Sequence, residues 1–170
     1  MQSISIPARD LQISHVENPA CWTQTSYHGA LPVPELLEVW WLHVMARVNA
    51  TELNKQTRYA AYLVFELNRP ENLEKASAFV TFGREITDSS ESQYFVFLEE
   101  EGTNPGQPGP FSQRRPDEWM EIKLGEVYNN SGDDGVLKIC FWEKNTDKRK
   151  CGFIVRAIEL RLLIKHKLTN

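Results

Sequence analysis

Long hydrophobic runs are missing from this 170-residue sequence. No stretch approaches the roughly 18–20 apolar residues that a membrane-spanning helix needs, so no contact with a membrane is expected. The opening residues, MQSISIPARD, also lack the basic start and apolar stretch of a secretory leader. A cytoplasmic protein is therefore expected.

Cysteine is scarce and has no motif spacing. The three cysteines, Cys21, Cys140 and Cys151, form no CxxC pair, which argues against a zinc site and against a closed disulfide framework. Free thiols are expected in a reducing cytosol. Cys140 lies in an apolar run and is predicted to be a core residue. Cys21 and Cys151 lie beside loops, where an oxidising environment would allow cross-links to partners.

Catalytic signatures are missing as well. The chain has no GxSxG, HExxH, P-loop or GxGxxG motif, and its four histidines are scattered without metal-ligand spacing. The sequence therefore predicts no enzyme activity, no metal and no cofactor. A glycoside hydrolase stays open as the least favoured alternative, because its paired carboxylates cannot be recognised from sequence.

The composition that is present is that of an ordinary globular protein, with 41% hydrophobic and 25% charged residues. Aromatic residues make up 11% and include five tryptophans, which suits a β-rich core or a stacking surface. The length predicts one domain over residues 1–170, with a core at about 8–163 and a basic tail at 164–170.

Charge is unevenly distributed. Residues 144–170 carry eight Lys and Arg against Asp147 and Glu159, a net charge of +6, which leaves −10 on residues 1–143. A basic C-terminal segment suits contact with phosphates or acidic partners, but a solvated strand edge and tail is the favoured interpretation. No RNA-binding aromatic signature accompanies it.

A period of two residues dominates the chain and predicts β-strands. In residues 39–48, Trp40, Leu42 and Val44 alternate onto one predicted core face, and His43 falls on the mixed opposite face. The run at 59–67 alternates less cleanly and predicts a strand covered on both sides. Further strands are predicted at residues 78–82, 93–98, 119–124, 136–142 and 153–163.

Turn-forming residues separate these strands. Residues 129–135 predict a turn between two strands, and the Gly/Pro-rich residues 102–110 predict a long functional or mobile loop. Short helical turns are predicted at 71–76 and 34–38. About eight strands with little helix predict an all-β fold, either a two-sheet β-sandwich or a barrel.

One tryptophan stands beside a predicted turn. Asn18-Pro19 starts a turn, and Trp22 follows three residues later. Trp22 is either a lid on the core or a flat surface for a ligand. A sugar ring has an apolar face that can stack on an indole, so carbohydrate binding is one interpretation.

Several sequence blocks, in this order, resemble the phloem protein 2 family of Nictaba-like plant lectins. The resemblance runs from about residue 8 to residue 161. The blocks are Ala8–Leu11, Asn18-Pro19 with Trp22, Tyr59–Phe65, Trp119–Glu126, Lys150–Val155 and Ile158–Arg161.

The resemblance implies a non-catalytic lectin with a jelly-roll-like β-sandwich fold. It implies binding of chito-oligosaccharides and other glycans that contain N-acetylglucosamine, including the N-glycan core. It further implies a homodimer in the cytoplasm of phloem sap or companion cells, with filament proteins and RNA as possible partners, and a part in defence or wound responses.

The family pattern also implies site residues. Trp22 and Glu143 fall on positions that are implicated in sugar binding in a tobacco lectin of this family. His15 and Val136 depart from that pattern, since the relative has a tryptophan and a glutamate there.

Physical reasoning adds four candidate carbohydrate contacts, each with an ordinary alternative. Asn18 is a turn amide or a turn cap, and Phe111 flanks a groove or anchors a loop. Tyr59 offers a ring and a hydroxyl or packs at the core rim. Lys150 donates to sugar oxygens or is a solvated charge. A structural or RNA-trafficking protein, cross-linked to partners through cysteine, stays open as an alternative function.

Overall fold

The computed structural model describes residues 3–29, 32–83, 94–100, 111–130 and 135–163. Within these ranges the chain forms β-strands and two short 3₁₀ helices, Ala8–Asp10 and Ala50–Glu52, and no α-helix. The strands are β1 (Ser3–Pro7), β2 (Gln12–Ile13), β3 (Trp22–Thr25), β4 (Val33–Leu36), β5 (Leu42–Asn49), β6 (Thr57–Glu71), β7 (Lys75–Phe82), β8 (Tyr94–Glu100), β9 (Phe111–Arg114), β10 (Met120–Asn129), β11 (Val136–Glu143) and β12 (Cys151–Leu162).

The strands form two antiparallel sheets. Sheet A has the order β3-β4-β12-β6-β10-β9, and β1 also pairs with β12. Sheet B has the order β2-β5-β11-β7-β8. A parallel pairing of β8 with β9 joins the two sheets along one edge. The all-β sandwich predicted from the sequence is therefore confirmed.

The core lies between the two sheets and is built by alternating side chains. Phe141 of sheet B stacks on Phe153 of sheet A, with ring centroids 5.6 Å apart and planes 5° apart. Phe153 stacks in turn on Phe65 at 5.3 Å. All three side chains are fully buried. Such stacked pairs add about 0.5–1.5 kcal/mol each to the gain from burial, so this column links the sheets through the core.

Each strand predicted from the two-residue period has a counterpart, and the real strands are mostly longer. The run predicted at 59–67 lies within β6 and is covered on both sides, since Ala61 and Leu63 face the core while Ala60 and Val64 are also fully buried.

The two predicted helical turns are wrong. Residues 34–38 begin inside strand β4, which pairs with β3. Residues 71–76 span the end of β6 and the start of β7. Asn72 turns the chain there with a φ of +60°, and buried Leu73 anchors the connection, so hairpin pairing determines the local structure.

Trp40 was predicted on the core face and is instead 53% exposed. Strand β5 begins only at Leu42, so the strand alternation does not extend to Trp40. An isolated bridge between Val39 and Lys150 redirects the chain just before it.

Some predictions fall on residues that the structure does not describe. The loop at 102–110, the tail at 164–170 and residues 131–134 of the predicted 129–135 turn lie outside the described ranges. Across the described part of the chain, no helix is long and apolar enough to cross a membrane.

Gly152 allows β12 to bulge against β6 just after the 144–150 loop. The pairing register shifts between Cys151 and Phe153, and Gly152 has a φ of +83°. A Cβ atom at this position would lie 2.4 Å from the backbone oxygen of Asn68. Only glycine fits there, because the neighbouring atoms belong to the backbone of β6.

We expect Gly152→Ala to lower the free energy of unfolding by about 2–5 kcal/mol, since a positive φ costs about 1–2 kcal/mol and overpacking about 1–3 kcal/mol more. Gly135→Ala is the matched control, because Gly135 has a φ of +85° but an added Cβ there would have no neighbouring atom within 4 Å. Urea denaturation measures both variants. Equal losses for the two variants would contradict the predicted clash.

Candidate functional site

A row of aromatic rings lies on the outer face of sheet B, at the end where β5 begins and β11 ends. Because side chains alternate along a strand, His43 of β5 faces away from the core that contains Leu42. Trp41 directly precedes β5, and its ring lies against that of His43. On β11, Trp142 faces outward in the same way, and the strand register places it opposite His43.

The rings of this row contact one another in sequence. The centroids of His15 and Trp41 are 5.4 Å apart in an edge-on arrangement. Trp41 and His43 are 6.3 Å apart, and His43 and Trp142 are 5.4 Å apart. We call His15, Trp41, His43 and Trp142 the aromatic row.

A cleft of about 430 Å³ lies at the Trp142 end of the row. We call it the Trp142 cleft. The indole is half-buried and forms an apolar wall, and residues 72–77, the end of β11 and the 144–150 loop supply polar groups. These polar groups include Glu74, Ser77, Glu143, Lys144, Asn145 and Lys148.

A second cleft of about 340 Å³ lies at the other end of the row. We call it the Trp40 cleft. Its lining includes Asn18, Glu38, Trp40 and Trp41. Trp40 is one of three large apolar side chains that stay exposed in the described part of the chain, so the fold leaves this indole to solvent.

A buried lysine holds the two clefts in place. Lys150 has no exposed surface, and its Nζ donates to the backbone oxygens of Trp40 and Lys148 at 2.9 Å each, and to that of Asn145. An ammonium has three donors, and all three are used here. Burial lowers the pKa of Lys150, and the nearby Glu143 carboxylate opposes that shift. We call this arrangement the Lys150 clamp.

Glu143 is held at the end of β11 and borders the Trp142 cleft. It is 9% exposed, and its Oε1 accepts a hydrogen bond of 2.8 Å from the backbone nitrogen of Asn145. A carboxylate fixed beside an indole can accept hydrogen bonds from the hydroxyl or amide groups of a ligand.

Trp22 and Tyr59 were predicted as ligand contacts, and the structure places both in the core. Trp22 is 3% exposed, and its Nε1 donates to the backbone oxygen of Ser14 at 2.9 Å. Tyr59 is 1% exposed, and its hydroxyl accepts from the backbone nitrogen of Asn54 at 2.8 Å. Neither ring presents an open face, because both sheets contribute to the apolar cluster that covers them.

The other predicted residues are separated in the structure. Asn18 is exposed and lines the Trp40 cleft, and its Oδ1 accepts from the backbone nitrogen of Ala20 at 2.9 Å, as in a turn cap. Phe111 opens β9 opposite Phe97 and is not part of the Trp142 cleft lining. Lys150 lines that cleft but is neither a solvated charge nor a free donor.

Sequence reasoning missed Trp40, Trp41 and Trp142. Trp41 falls on the same mixed face of the predicted 39–48 strand as His43, and the alternation of β11 puts Trp142 on the side away from the core. An aromatic side chain on the face of a predicted strand opposite its apolar face is the signal that could have found Trp41 and Trp142. Trp40 gives no such signal, because it falls on the predicted core face.

His43 and Cys140 form a close pair that does not resemble a nucleophile and its base. His43 Nε2 lies 3.0 Å from Cys140 Sγ. Burial raises the pKa of Cys140 to about 12 and lowers the pKa of His43, so both groups are neutral at pH 7. Cysteine reactivity requires the thiolate, which this site disfavours. Nor do the described residues contain a metal-binding group of three or more His, Cys, Asp or Glu.

The fold and the clefts define a β-sandwich with two aromatic-lined surface clefts at one end of a sheet. The family model for phloem protein 2 matches residues 1–162. The chain belongs to the phloem protein 2 family.

Several curated relatives are Arabidopsis thaliana proteins named as F-box proteins. The chain is 34% identical over 172 residues to the putative F-box protein PP2-B2, covering 91% of this chain and 51% of that protein. It is 28% identical to F-box protein PP2-B10, covering 93% of this chain and 59% of that protein. The chain thus spans about half the length of the curated relatives it matches.

Solved structures share the fold at low sequence identity. The chain superposes on a Podospora anserina GH26-CBM35 β-(1,4)-mannanase with a TM-score of 0.52 and 9% identity, covering 98% of this chain and 29% of that one. At this identity, the similarity concerns the fold alone.

We expect Cys140 to resist modification in the folded protein. With its pKa raised to about 12, it carries almost no thiolate at pH 8, whereas Cys21 and Cys151 are partly exposed. Ellman's reagent at pH 8 should therefore leave Cys140 unmodified until guanidinium is added. Mass spectrometry locates the label, and rapid native labelling of Cys140 would contradict the buried neutral pair.

We expect Lys150→Met to lower the free energy of unfolding by about 2–4 kcal/mol, because three backbone oxygens lose their donor. Amide exchange should also quicken in residues 144–150 and at Trp40. Lys148→Met, which removes an exposed side chain, is the control and should stay within about 0.5 kcal/mol of the parent. Unchanged exchange in Lys150→Met would show that the clamp does not hold the clefts.

Proposed function

We propose that the protein is a non-catalytic carbohydrate-binding protein whose ligand enters the Trp142 cleft. The observation that carries this proposal is the half-buried Trp142 indole, which forms a wall of a cleft whose other described lining residues, apart from Ala76, are polar or charged. An apolar face beside carboxylate, amide and hydroxyl groups is what a pyranose ring requires.

The energetics favour a ligand with more than one sugar unit. Covering about 100 Å² of apolar surface on an indole contributes roughly 2–3 kcal/mol. That is weaker than millimolar binding, which corresponds to about 4 kcal/mol. Polar contacts must therefore add to it. Glu143 supplies an acceptor and Asn145 an amide in the Trp142 cleft.

The aromatic row offers a path to a second subsite. It begins at Trp142 and ends at Trp41 and His15, both of which line the Trp40 cleft. Asn18 contributes an amide there, and exposed Trp40 contributes a ring. We therefore propose an oligosaccharide ligand, and the family supports oligomers of N-acetylglucosamine. Trp22 would not contact the ligand but would support the second subsite, because its Nε1 holds the backbone of Ser14, which is next to His15 in the chain.

The family also supports a proposal for the oligomeric state, location and biological role of the protein. A homodimer would present two sites and raise the avidity for a repeating glycan. We propose a cytoplasmic protein of phloem tissue with a part in defence. In relatives named as F-box proteins, the matching half would be the part that recognises the glycan.

A second candidate function is a structural or trafficking protein that is cross-linked to filament partners or carries RNA. Two free cysteines, Cys21 and Cys151, favour it because both are partly exposed. Non-reducing gels test it, since disulfide-linked species should disappear when either cysteine is replaced. RNA retention that falls steeply with salt would also support it.

We expect Trp142→Ala to weaken binding of chitotriose at least about tenfold, which corresponds to the loss of roughly 1.4 kcal/mol or more of stacking free energy. Isothermal titration calorimetry measures the dissociation constant. Tyr128→Ala is the matched control, because Tyr128 is a 41% exposed aromatic residue on β10 of sheet A.

Circular dichroism checks that both variants keep their fold. An unchanged dissociation constant for folded Trp142→Ala, or an equal loss in Tyr128→Ala, would remove Trp142 from the binding site.

A further inference from the structure

A third cleft lies at the edge of sheet A, where β1 and β4 follow one another along β12. Strand β1 pairs with β12 as far as Pro7, opposite Ala157, and β4 pairs with it at Ile154. The cleft there has a volume of about 620 Å³, and its described lining shares no residue with the Trp142 cleft or the Trp40 cleft. We call it the Arg9 cleft. The proposed carbohydrate function makes no use of it.

Apolar side chains form the floor of the Arg9 cleft. Ala8, Leu11 and Val33 line it and are buried, and Val16 and Pro34 also contribute. A cleft of roughly 300–1,000 Å³ with apolar walls and a few convergent polar groups is the usual form of a site for a small molecule. The Arg9 cleft falls within this range, so it has room for a ligand with a small apolar group.

Three polar side chains at the rim have no partner within the described part of the chain. Arg9, Glu17 and Gln24 are exposed, and none of them makes a side-chain hydrogen bond or an ion pair there. Arg9 and Glu17 have opposite charges and border one cleft, yet the structure does not pair them with each other. The rim therefore offers a ligand both an unpaired cation and an unpaired anion.

Arg156 supplies a second guanidinium, and the structure holds it in place. Its Nη1 donates to Asp117 Oδ2 at 2.9 Å, and its guanidinium carbon lies 5.3 Å from the centroid of the Trp119 ring. The side chain is partly exposed and lines the cleft. A guanidinium has five N–H donors, so the bond to Asp117 leaves donors for a ligand.

The two guanidiniums share one part of the cleft, and Glu17 comes from another element. Arg9 lies two residues after Pro7, and Arg156 is next to Ala157, the residue that pairs with Pro7. Glu17 belongs to the turn that precedes β3. The cleft thus presents positive charge beside the β1–β12 pair and negative charge on the turn.

A ligand with a single charge would satisfy only part of this rim. An anion would pair with Arg9 and leave Glu17 unpaired beside it, and a cation would do the reverse. A dipolar ligand forms a charge-assisted hydrogen bond with each of them. The charges of the rim therefore favour a dipolar ligand.

We propose that the Arg9 cleft binds an α-amino acid, free or at the ends of a short peptide, that carries an apolar side chain. Its carboxylate pairs with Arg9 and Arg156, its ammonium pairs with Glu17, and its side chain lies on the apolar floor. This site goes beyond the proposed carbohydrate function and does not depend on it.

The test compares dipolar probes with analogues that keep one charge. Leucine has both charges, N-acetylleucine keeps the carboxylate alone, and leucinamide keeps the ammonium alone. In a ¹H–¹⁵N correlation spectrum at pH 6 and low salt, leucine should shift the amide signals of Leu11, Val16 and Val33. Its dissociation constant should be about two- to fivefold lower than that of either analogue, as expected for one exposed ion pair. Leucylalanine, with its own N-acetyl and amide forms, tests the short peptide in the same way.

Two variants assign the charges to their partners. Arg9→Gln should remove the advantage of leucine over leucinamide, because neither probe then has the guanidinium for its carboxyl end. Glu17→Gln should instead remove the advantage of leucine over N-acetylleucine. Arg47→Gln is the control, since Arg47 is exposed on β5 of sheet B and does not line the cleft. It should leave all the dissociation constants unchanged.

The comparison of probes in the parent protein needs no variant, so it tests the inference even if a variant folds poorly. Equal dissociation constants for the dipolar probes and their single-charge analogues would overturn the inference. The absence of any shift at Leu11, Val16 and Val33 with leucine and leucylalanine would also overturn it. If chitotriose shifts these three signals and the dipolar probes do not, the cleft belongs to a glycan surface and the inference fails.

Discussion

The Lys150 clamp is the interaction on which the binding surface depends. A buried ammonium is costly unless every donor is paired, and here three backbone oxygens satisfy it. Two of those oxygens belong to the 144–150 loop and one to Trp40, so a single side chain joins segments far apart in sequence. The two-stranded bridge between Val39 and Lys150 reinforces the same contact. Both clefts are bordered by backbone that this clamp fixes.

The sandwich explains why the clamp lies where it does. The stacked column of Phe65, Phe141 and Phe153 joins the sheets, and β12 continues from it back to Lys150. The bulge at Gly152 shifts the pairing of β12 with β6 between Phe153 and Cys151, next to Lys150. The core thus sets the position of the loop, the loop and β7 form the Trp142 cleft, and the cleft brings charged side chains around an indole.

The fold could be predicted from the sequence because its signal is local. Alternation along a strand reports which side chains are buried, and it located the long strands, including the doubly covered β6.

The site was harder to predict than the fold, because the exposure of a side chain depends on contacts with residues far away in the sequence. Trp22 follows a turn, but the opposite sheet and Ser14 bury it. Lys150 carries a charge in a basic segment, but carbonyl groups from two separate segments enclose it. Trp40 lies in an apolar run, but it stands between the bridge at Val39 and the start of β5 at Leu42, so the strand alternation does not include it. Glu143 was predicted from the family pattern and Asn18 from its turn, and each borders a cleft, but their contact with a ligand stays a prediction.

The five tryptophans allow the central claim, a glycan site at the Trp142 end of sheet B, to be tested in one measurement. Each indole N–H gives its own signal in a ¹H–¹⁵N correlation spectrum, and replacement of each tryptophan by phenylalanine assigns it. The account predicts that titration with chitotriose shifts the Trp142 signal most, and leaves the signals of buried Trp22 and Trp119 in place. A titration that shifts Trp22 or Trp119 while Trp142 stays unperturbed would contradict it.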